Sequence, residues 1–479
     1  MSIDYNRWKD KKILVIGAGI SGFAAAKIAK RLGANVILSD AKSESDLSAH
    51  EKDINELKNL GVEFRFGKQT PELLAGIDRI IVSPAVPIII PFLHTAFERG
   101  IEIISEVELG FEVSHSPIFA VTGTNGKTTT TTLLGLLLKK KFAEVGVCGN
   151  IGVAFSETAI DLGENSAIAI EISSYQMEAT KNFHPHVSTI LNVTPDHIKR
   201  HGSMEVYQAM KEKIFAQETR RDYLVLNYDD PRTREIASRV DNCNVIFFSR
   251  KANLENGAFI EFVPPKDAPL PFKNILPKAR WLVINWNGKT RRICTIAELG
   301  IRGNHNVENA LAAAMMAYHA GVEIEEIREV LLEFHGVEHR IEFVRDIDGV
   351  RYFNDSKATN TDSAIKGIEA FDGHLILIAG GDDKGTDLTE FFESVNKKVD
   401  ELILVGAAAE RFKQSAIENG YPVEQIHEAG FDMEKAVNIA KNLSRAGQTV
   451  LLSPACASFD MYNNFEERGQ DFKRIVDNL

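Results

Sequence analysis

The segment Val121-Thr122-Gly123-Thr124-Asn125-Gly126-Lys127-Thr128-Thr129 runs from an apolar stretch through a glycine turn to a lysine and two hydroxyls. Backbone N–H groups of such a loop, with a helix N-terminus behind them, form an anion site. Lys127 is placed to reach β- and γ-phosphates, and Thr128 to offer its hydroxyl to Mg²⁺. The spacing departs from the usual phosphate loop, because Val121 stands where its first glycine belongs. Two further candidates follow apolar runs: Glu171 closes 167–171, and the Asp196-His197 pair comes just after 189–193. Open α/β sheets place ligands at such carboxyl strand ends. Each has a plainer reading too, a strand-end charge facing water for Glu171 and a surface loop histidine for His197. Lys211, in Tyr207-Gln208-Ala209-Met210-Lys211, reads by composition as a solvated helical lysine.

A second glycine loop, Gly17-Ala18-Gly19-Ile20-Ser21-Gly22, lies earlier in the chain, with Asp40 18 residues beyond Gly22. The spacing fits a dinucleotide fingerprint whose acid meets a ribose hydroxyl. It equally fits a tight turn packed on a helix, or another diphosphate held by the same physics. The last third carries Asn354-Asp355-Ser356-Lys357-Ala358-Thr359-Asn360 and Gly380-Gly381-Asp382-Asp383-Lys384. Lys357, Thr359 and Lys384 there form either an anion-binding corner or ordinary solvated loops. The stretch Ser453-Pro454-Ala455-Cys456-Ala457-Ser458-Phe459-Asp460 is rich in small residues and hydroxyls. No histidine neighbours Cys456 in sequence to make it a nucleophile.

The elements that must position these residues alternate strand and helix. Apolar runs at 12–16, 35–38, 79–82 and 101–104, with a helix over 21–31, predict a parallel sheet with crossover helices. Turn formers at 112–117 mark a boundary. A second sheet is expected from 118–121, 144–148, 167–172, 189–193 and 223–226. The alternating runs 259–262, 281–286 and 291–295 predict a small antiparallel flap. Helices follow at 307–318, after the cap formers Asn304 and Asn306, and at 324–333. His335-Gly336 marks a hinge, and strands at 350–353, 375–379, 401–405 and 449–452 build a third sheet.

Composition narrows the function classes. The 479 residues are 44% hydrophobic and 25% charged, the balance of a soluble globular chain. A net charge of −12 without a long basic run makes nucleic acid and membrane unexpected partners, though a polyanionic small substrate needs only local positive charge. Four scattered cysteines, with no zinc spacing, favour a reducing compartment. The N-terminus reaches charge before it builds an apolar signal core, and no apolar run approaches the ~20 residues that span a bilayer. A cytoplasmic chain is expected.

The segments 122–129 (TGTNGKTT), 171–178 (EISSYQME), 191–202 (LNVTPDHIKRHG), 303–313 (GNHNVENALAA), 338–342 (EHRIE), 354–360 (NDSKATN) and 453–469 (SPACASFDMYNNFEERG) occur in this order. Together they resemble the Mur ligase superfamily over essentially the whole chain. The last two segments single out its D-glutamate-adding branch. The resemblance implies three consecutive α/β domains: a Rossmann-like N-terminal domain (1–114), a P-loop ATPase domain with the flap (115–336) and a Rossmann-like C-terminal domain (337–479).

It further implies an ATP-dependent ligase of peptidoglycan precursor synthesis that uses Mg²⁺ and joins D-glutamate to UDP-N-acetylmuramoyl-L-alanine through an acyl phosphate. The UDP-substrate would meet Ile20, Ser21, Gly22, Asp40 and Asn150. ATP would meet Gly123, Thr124, Asn125, Gly126, Lys127, Thr128, Thr129, Asn306, Asn309, Arg340 and Asp355. D-Glutamate would meet Thr359, Lys384, Ser458 and Phe465. Thr128, Glu171, His197 and Lys211, the last as its carbamate, would hold the metal; Lys127, His197, Lys211 and Lys357 would serve catalysis. A monomer whose last domain swings about residue 336 is expected. The departures are Met210, where alanine is commoner in the family, and a flap that is long for it.

Overall fold

The computed structural model describes residues 4–263, 279–383 and 385–479. The first sheet comprises β1 (Lys12–Ile16), β2 (Asn35–Asp40), β3 (Glu63–Phe66), β4 (Arg79–Val82) and β5 (Glu102–Ser105). All neighbours run parallel in the order β3-β2-β1-β4-β5. The order reverses direction at β1, so a crevice opens at its carboxyl end, where the glycine turn lies. The helix Ile20–Arg31 that follows is alanine-rich and ends on Lys30 and Arg31, which suit the negative end of its dipole. β3 was not anticipated. It is a four-residue edge strand with no fully buried residue, so its apolar signal is weak.

The second sheet has nine strands: β6 (Ile118–Thr122), β7 (Val145–Gly149), β8 (Ala167–Glu171), β9 (Val187–Ile190), β10 (Tyr223–Asn227), β11 (Asn244–Ser249), β12 (Gly257–Val263), β13 (Ala279–Trp286) and β14 (Lys289–Thr295). Their order is β14-β13-β12-β11-β10-β9-β6-β8-β7. β6 and β8 are buried along their whole length, which is why they read as continuous apolar runs.

The antiparallel flap forms as expected and continues the main sheet: β12 pairs antiparallel with β13 and in parallel with β11, Phe247 opposite Gly257. β11 was missed, which left the flap nothing to grow from. The strand expected at 189–193 instead ends at Ile190, because 191–193 turn toward the loop after β6: the Leu191 amide donates to the Thr122 carbonyl.

These two sheets lie in one compact unit, residues 1–299 and 305–332. Carboxylates on the helix Glu106–Val113 tie them together. Glu108, fully buried, accepts from the amides of Lys181, Asn182 and Phe183 at 2.8 to 3.2 Å. Glu106 accepts from the Ser156 amide at 2.6 Å. The helix Asn304–His319 begins earlier than expected, so Asn304 and Asn306 lie within its first turn and do not precede it.

The second unit spans 300–304 and 333–479. Its sheet holds β15 (Glu342–Ile347), β16 (Val350–Asn354), β17 (Leu375–Gly380), β18 (Val399–Val405), β19 (Ile426–Gly430) and β20 (Thr449–Leu452), ordered β15-β16-β20-β17-β18-β19. Only β15 is antiparallel to its neighbour. Separate apolar clusters cover the two faces, one around Phe391, Phe392 and Phe412 and the other around Val437, Phe472 and Val476. The two strands absent from the sequence reading, β15 and β19, are both half-exposed edges. Among the described residues no helix is long and apolar enough to cross a membrane.

Candidate active site

The turn after β6 is built from glycines that no other residue replaces easily. Gly126 has a φ of 85°, and a Cβ there would lie 2.3 Å from the Asn309 Oδ1. The chain then opens the helix Lys127–Leu138, with Thr128 and Thr129 buried in its first turn. Asn192 braces the loop from outside. Its Oδ1 accepts from the Asn125 amide at 2.8 Å, and its carbonyl accepts from the Thr124 amide. Asn309 Nδ2 donates to the Asn306 Oδ1 at 3.1 Å, and the Asn309 Oδ1 lies against Gly126.

Two lysines converge beneath this loop. The Lys127 Nζ donates to the carbonyls of Gly123 (3.1 Å) and Thr124 (2.9 Å). The Lys211 Nζ donates to the same Gly123 carbonyl at 2.8 Å and lies 4.4 Å from the centre of the Tyr207 ring. Lys211 is 1% exposed, which corrects its reading as a solvated lysine. Its helix, Met204–Glu212, turns Tyr207, Gln208 and Lys211 inward, a face too short to show in the sequence. Burial pushes the Lys211 ammonium well below its ordinary pKa, and the neighbouring Lys127 charge pushes the same way.

Glu171 closes β8 opposite Val121 and is 2% exposed, so it does not face water. Its Oε1 accepts from the Asn150 Nδ2 at 2.9 Å, while its Oε2 is buried with no hydrogen-bond partner. A buried carboxylate oxygen left unpaired is costly unless something absent from the chain meets it. His197 is exposed, as the plainer reading had it, and takes a left-handed φ of 54°. Its ring lies 4.8 Å from that of Tyr175. The unpaired Glu171 oxygen is the kind of hard donor that a divalent cation takes.

At the first loop the Ala18 amide donates to the Asp40 Oδ2 at 2.7 Å, and the Lys42 amide to its Oδ1 at 2.8 Å. The Ser83 hydroxyl, just past β4, donates to the Gly17 carbonyl at 2.9 Å. Ile20 is 69% exposed at the helix start, Ser21 half-buried and Gly22 buried. A Cβ on Gly22 would lie 1.8 Å from the Gly17 carbonyl oxygen, so this glycine closes helix against turn.

In the second unit Asp355 is buried after β16. It accepts from the Ser453 hydroxyl at 2.7 Å and the Ile341 amide at 3.2 Å. Burial pushes its carboxyl up to about 7, against the opposing charge of Arg340. The residues either side of Arg340, His339 and Ile341, both take left-handed backbone, unusual for a β-branched residue. The Lys357 Nζ lies 5.5 Å from the Phe465 ring centre.

A bridge between Asp382 and Ala457 joins the loops after β17 and β20, next to buried Ser458, while Thr359 is half-buried. Arg468, unremarked in the sequence, is 2% exposed and knits these loops: it donates to the carbonyls of Ser356, Cys456 and Ala457 and to the Ser356 hydroxyl. Asn192 was likewise missed, hidden in an apolar strand end. Burial pushes the Cys456 thiol up to about 12, which leaves it no nucleophile. Lys384 lies outside the described residues.

A parallel sheet carrying a glycine phosphate loop, with cationic and acidic groups at its carboxyl edge, defines a nucleotide-handling enzyme of the P-loop class. Residues 11–105 match the MurD-like N-terminal domain of Mur ligases, 121–317 the Mur ligase middle domain, and 339–456 the Mur ligase glutamate ligase domain. The chain belongs to the Mur ligase family. It is 45% identical over 471 residues to the UDP-N-acetylmuramoylalanine–D-glutamate ligase of Thermoanaerobacter sp. (strain X514), covering 98% of this chain and 99% of that protein. To the ligase of that name from Clostridioides difficile (strain 630) it is 40% identical, with the same coverage. Among solved structures its fold is similar to a UDP-N-acetylmuramate–alanine ligase from Thermotoga maritima, with TM-score 0.56, 20% identity and coverage of 98% and 99%. A MurF ligase from the same organism, in complex with ADP, also has TM-score 0.56, at 16% identity and coverage of 100% and 97%.

Proposed function

We propose that the chain joins D-glutamate to UDP-N-acetylmuramoyl-L-alanine in an ATP-driven amide synthesis of peptidoglycan precursors, acting as a cytoplasmic monomer. Residues 1–114 hold the UDP-substrate through Ile20, Ser21, Gly22 and Asp40, with Asn150 near its acyl end. Residues 115–336 hold ATP through the 123–129 loop, Asn306 and Asn309. Residues 337–479 bring Arg340 and Asp355 to the nucleotide and present D-glutamate to Thr359, Lys384, Ser458 and Phe465.

The observation that carries this reading is the convergence of Lys127 and Lys211 on one carbonyl under the phosphate loop. The L-alanyl carboxylate attacks the γ-phosphorus and ADP leaves, forming an acyl phosphate. The D-glutamate amine, having lost its proton, then attacks the acyl carbon, and phosphate leaves from the tetrahedral intermediate. Two anions must approach each other in the first step. Lys127 and Lys357 offset that repulsion and stabilise the transferring phosphoryl group. His197 is a candidate to take the amine's proton.

Thr128, Glu171, His197 and the carbamate of Lys211 would hold Mg²⁺, which when bound neutralises phosphate charge. The buried amine of Lys211 supports that role, because only a neutral amine adds carbon dioxide. Phosphate release is the test, measured with ATP, UDP-N-acetylmuramoyl-L-alanine and a panel of D- and L-amino acids. Release that requires D-glutamate is expected. Release with L-glutamate alone, or without the UDP-substrate, overturns the reading.

A further inference from the structure

Arg200 belongs to none of the groups assigned above, yet it touches both halves of the first unit. It lies three residues past His197, in the short helix Ile198–His201, with its side chain 16% exposed. Its Nε and Nη2 donate to the two carboxylate oxygens of Glu178 at 2.9 and 2.8 Å, a fork that only a guanidinium makes. Nη2 also reaches the carbonyls of Pro84 (3.2 Å) and Val86 (3.0 Å) in the turn after β4.

That turn is the wall of the first glycine loop. Ser83 donates to the Gly17 carbonyl, and a Cβ on Gly17 would lie within 3.2 Å of both the Ser83 and Val86 side chains. On its other side the guanidinium lies 5.0 Å from the centre of the Tyr175 ring, which in turn lies 4.8 Å from the His197 ring, tilted at 48° to it. Glu178 is fixed from behind, since the Lys213 Nζ donates to the carbonyls of Met177 (2.7 Å) and Glu178 (2.9 Å).

We propose that Arg200 is a positioning residue that locks the 83–86 turn of the nucleotide-sugar site to the Tyr175–His197 pair of the ATP site. The inference rests on the proposed assignment of the first loop to the UDP-substrate. Without the guanidinium, the carbonyls of Pro84 and Val86 lose their shared donor and the turn is free to drift from Gly17. The phosphate loop, braced by Asn192, keeps its shape.

The test compares Arg200→Ala, Arg200→Lys and Glu178→Gln with wild type, in steady-state phosphate release and in calorimetric binding of UDP-N-acetylmuramoyl-L-alanine. Arg200→Ala should raise the KM and Kd for that substrate about tenfold, the scale of one charge-assisted hydrogen bond, with the KM for ATP within about twofold. Arg200→Lys keeps the charge but not the fork, so it should recover part of the loss. Glu178→Gln should weaken the same substrate and spare ATP. Equal loss toward both substrates, or a lowered Tm with unchanged substrate affinity, overturns the inference. Wild type that fails to bind the UDP-substrate at all counts instead against the proposed function.

Discussion

The two glycine loops of the first unit share a backbone plan and differ in what surrounds them. Each leaves a buried parallel strand, turns on a left-handed glycine (Gly17, φ 99°; Gly126, φ 85°) and opens a twelve-residue helix. Around the first, the tied groups are an aspartate and a serine, Asp40 accepting from the Ala18 amide and Ser83 donating to the Gly17 carbonyl. Around the second they are the amines of Lys127 and Lys211. Backbone amides and a helix dipole suffice to hold a phosphate in either place. Charge that develops during transfer needs cations already in position, and two amines lie at the second loop. The proposed division of holding from transferring thus rests on side chains around one common turn.

The largest test of that contrast is Lys127→Ala. It should lower kcat for ADP formation by about two to three orders of magnitude while the UDP-substrate still binds, as judged by calorimetry. A kcat unchanged by the substitution would falsify the division of labour. Lys211→Ala should cost about 10- to 100-fold, the usual toll of disturbing a metal's ligand environment. In ¹³C NMR with labelled bicarbonate, the carbamate carbonyl signal should vanish in this variant.

The first loop is broken sterically instead. Gly22→Ala drives a methyl into the Gly17 carbonyl and should destabilise the unit by about 1–3 kcal/mol, read as a lower Tm. Gly19 has nothing within 4 Å of a built Cβ, so Gly19→Ala should leave Tm alone and raise only the KM for the UDP-substrate, about tenfold.

The smallest effect concerns Asp355, whose folded carboxyl is raised to about 7 from 3.8. The native state therefore holds this proton where the unfolded chain has lost it. The stabilisation is full below pH 4 and fades as pH rises through about 7. Melting curves between pH 5 and 8 should show a decline of a few degrees that Asp355→Asn removes. A slope retained in the variant assigns the decline to another group.

Much of this was legible in the chain. The strands Lys12–Ile16, Arg79–Val82 and Thr449–Leu452 and the helix Ile324–Glu333 fall where the apolar pattern put them, because the strands are buried at nearly every position and the helix on one face. Three of the missed strands, β3, β15 and β19, are edges with little buried surface and so lack a strong apolar run, whereas β11 lies inside its sheet between β10 and β12. Cap chemistry misled at Asn304 and Asn306, which serve inside the helix.

Both glycine loops, the carboxylate at the end of β8 and the order of three α/β domains are local facts: a strand, a turn and a helix are each specified by residues a few positions apart. The burial of Lys211, the unpaired oxygen of Glu171, the braces of Asn192 and Arg468 and the reach of Arg200 to Pro84 are not. They join residues as much as 116 positions apart in the chain, and only packing decides which of many polar side chains loses its water. That loss of water is what lowers the proton affinity of an otherwise ordinary lysine, Lys211.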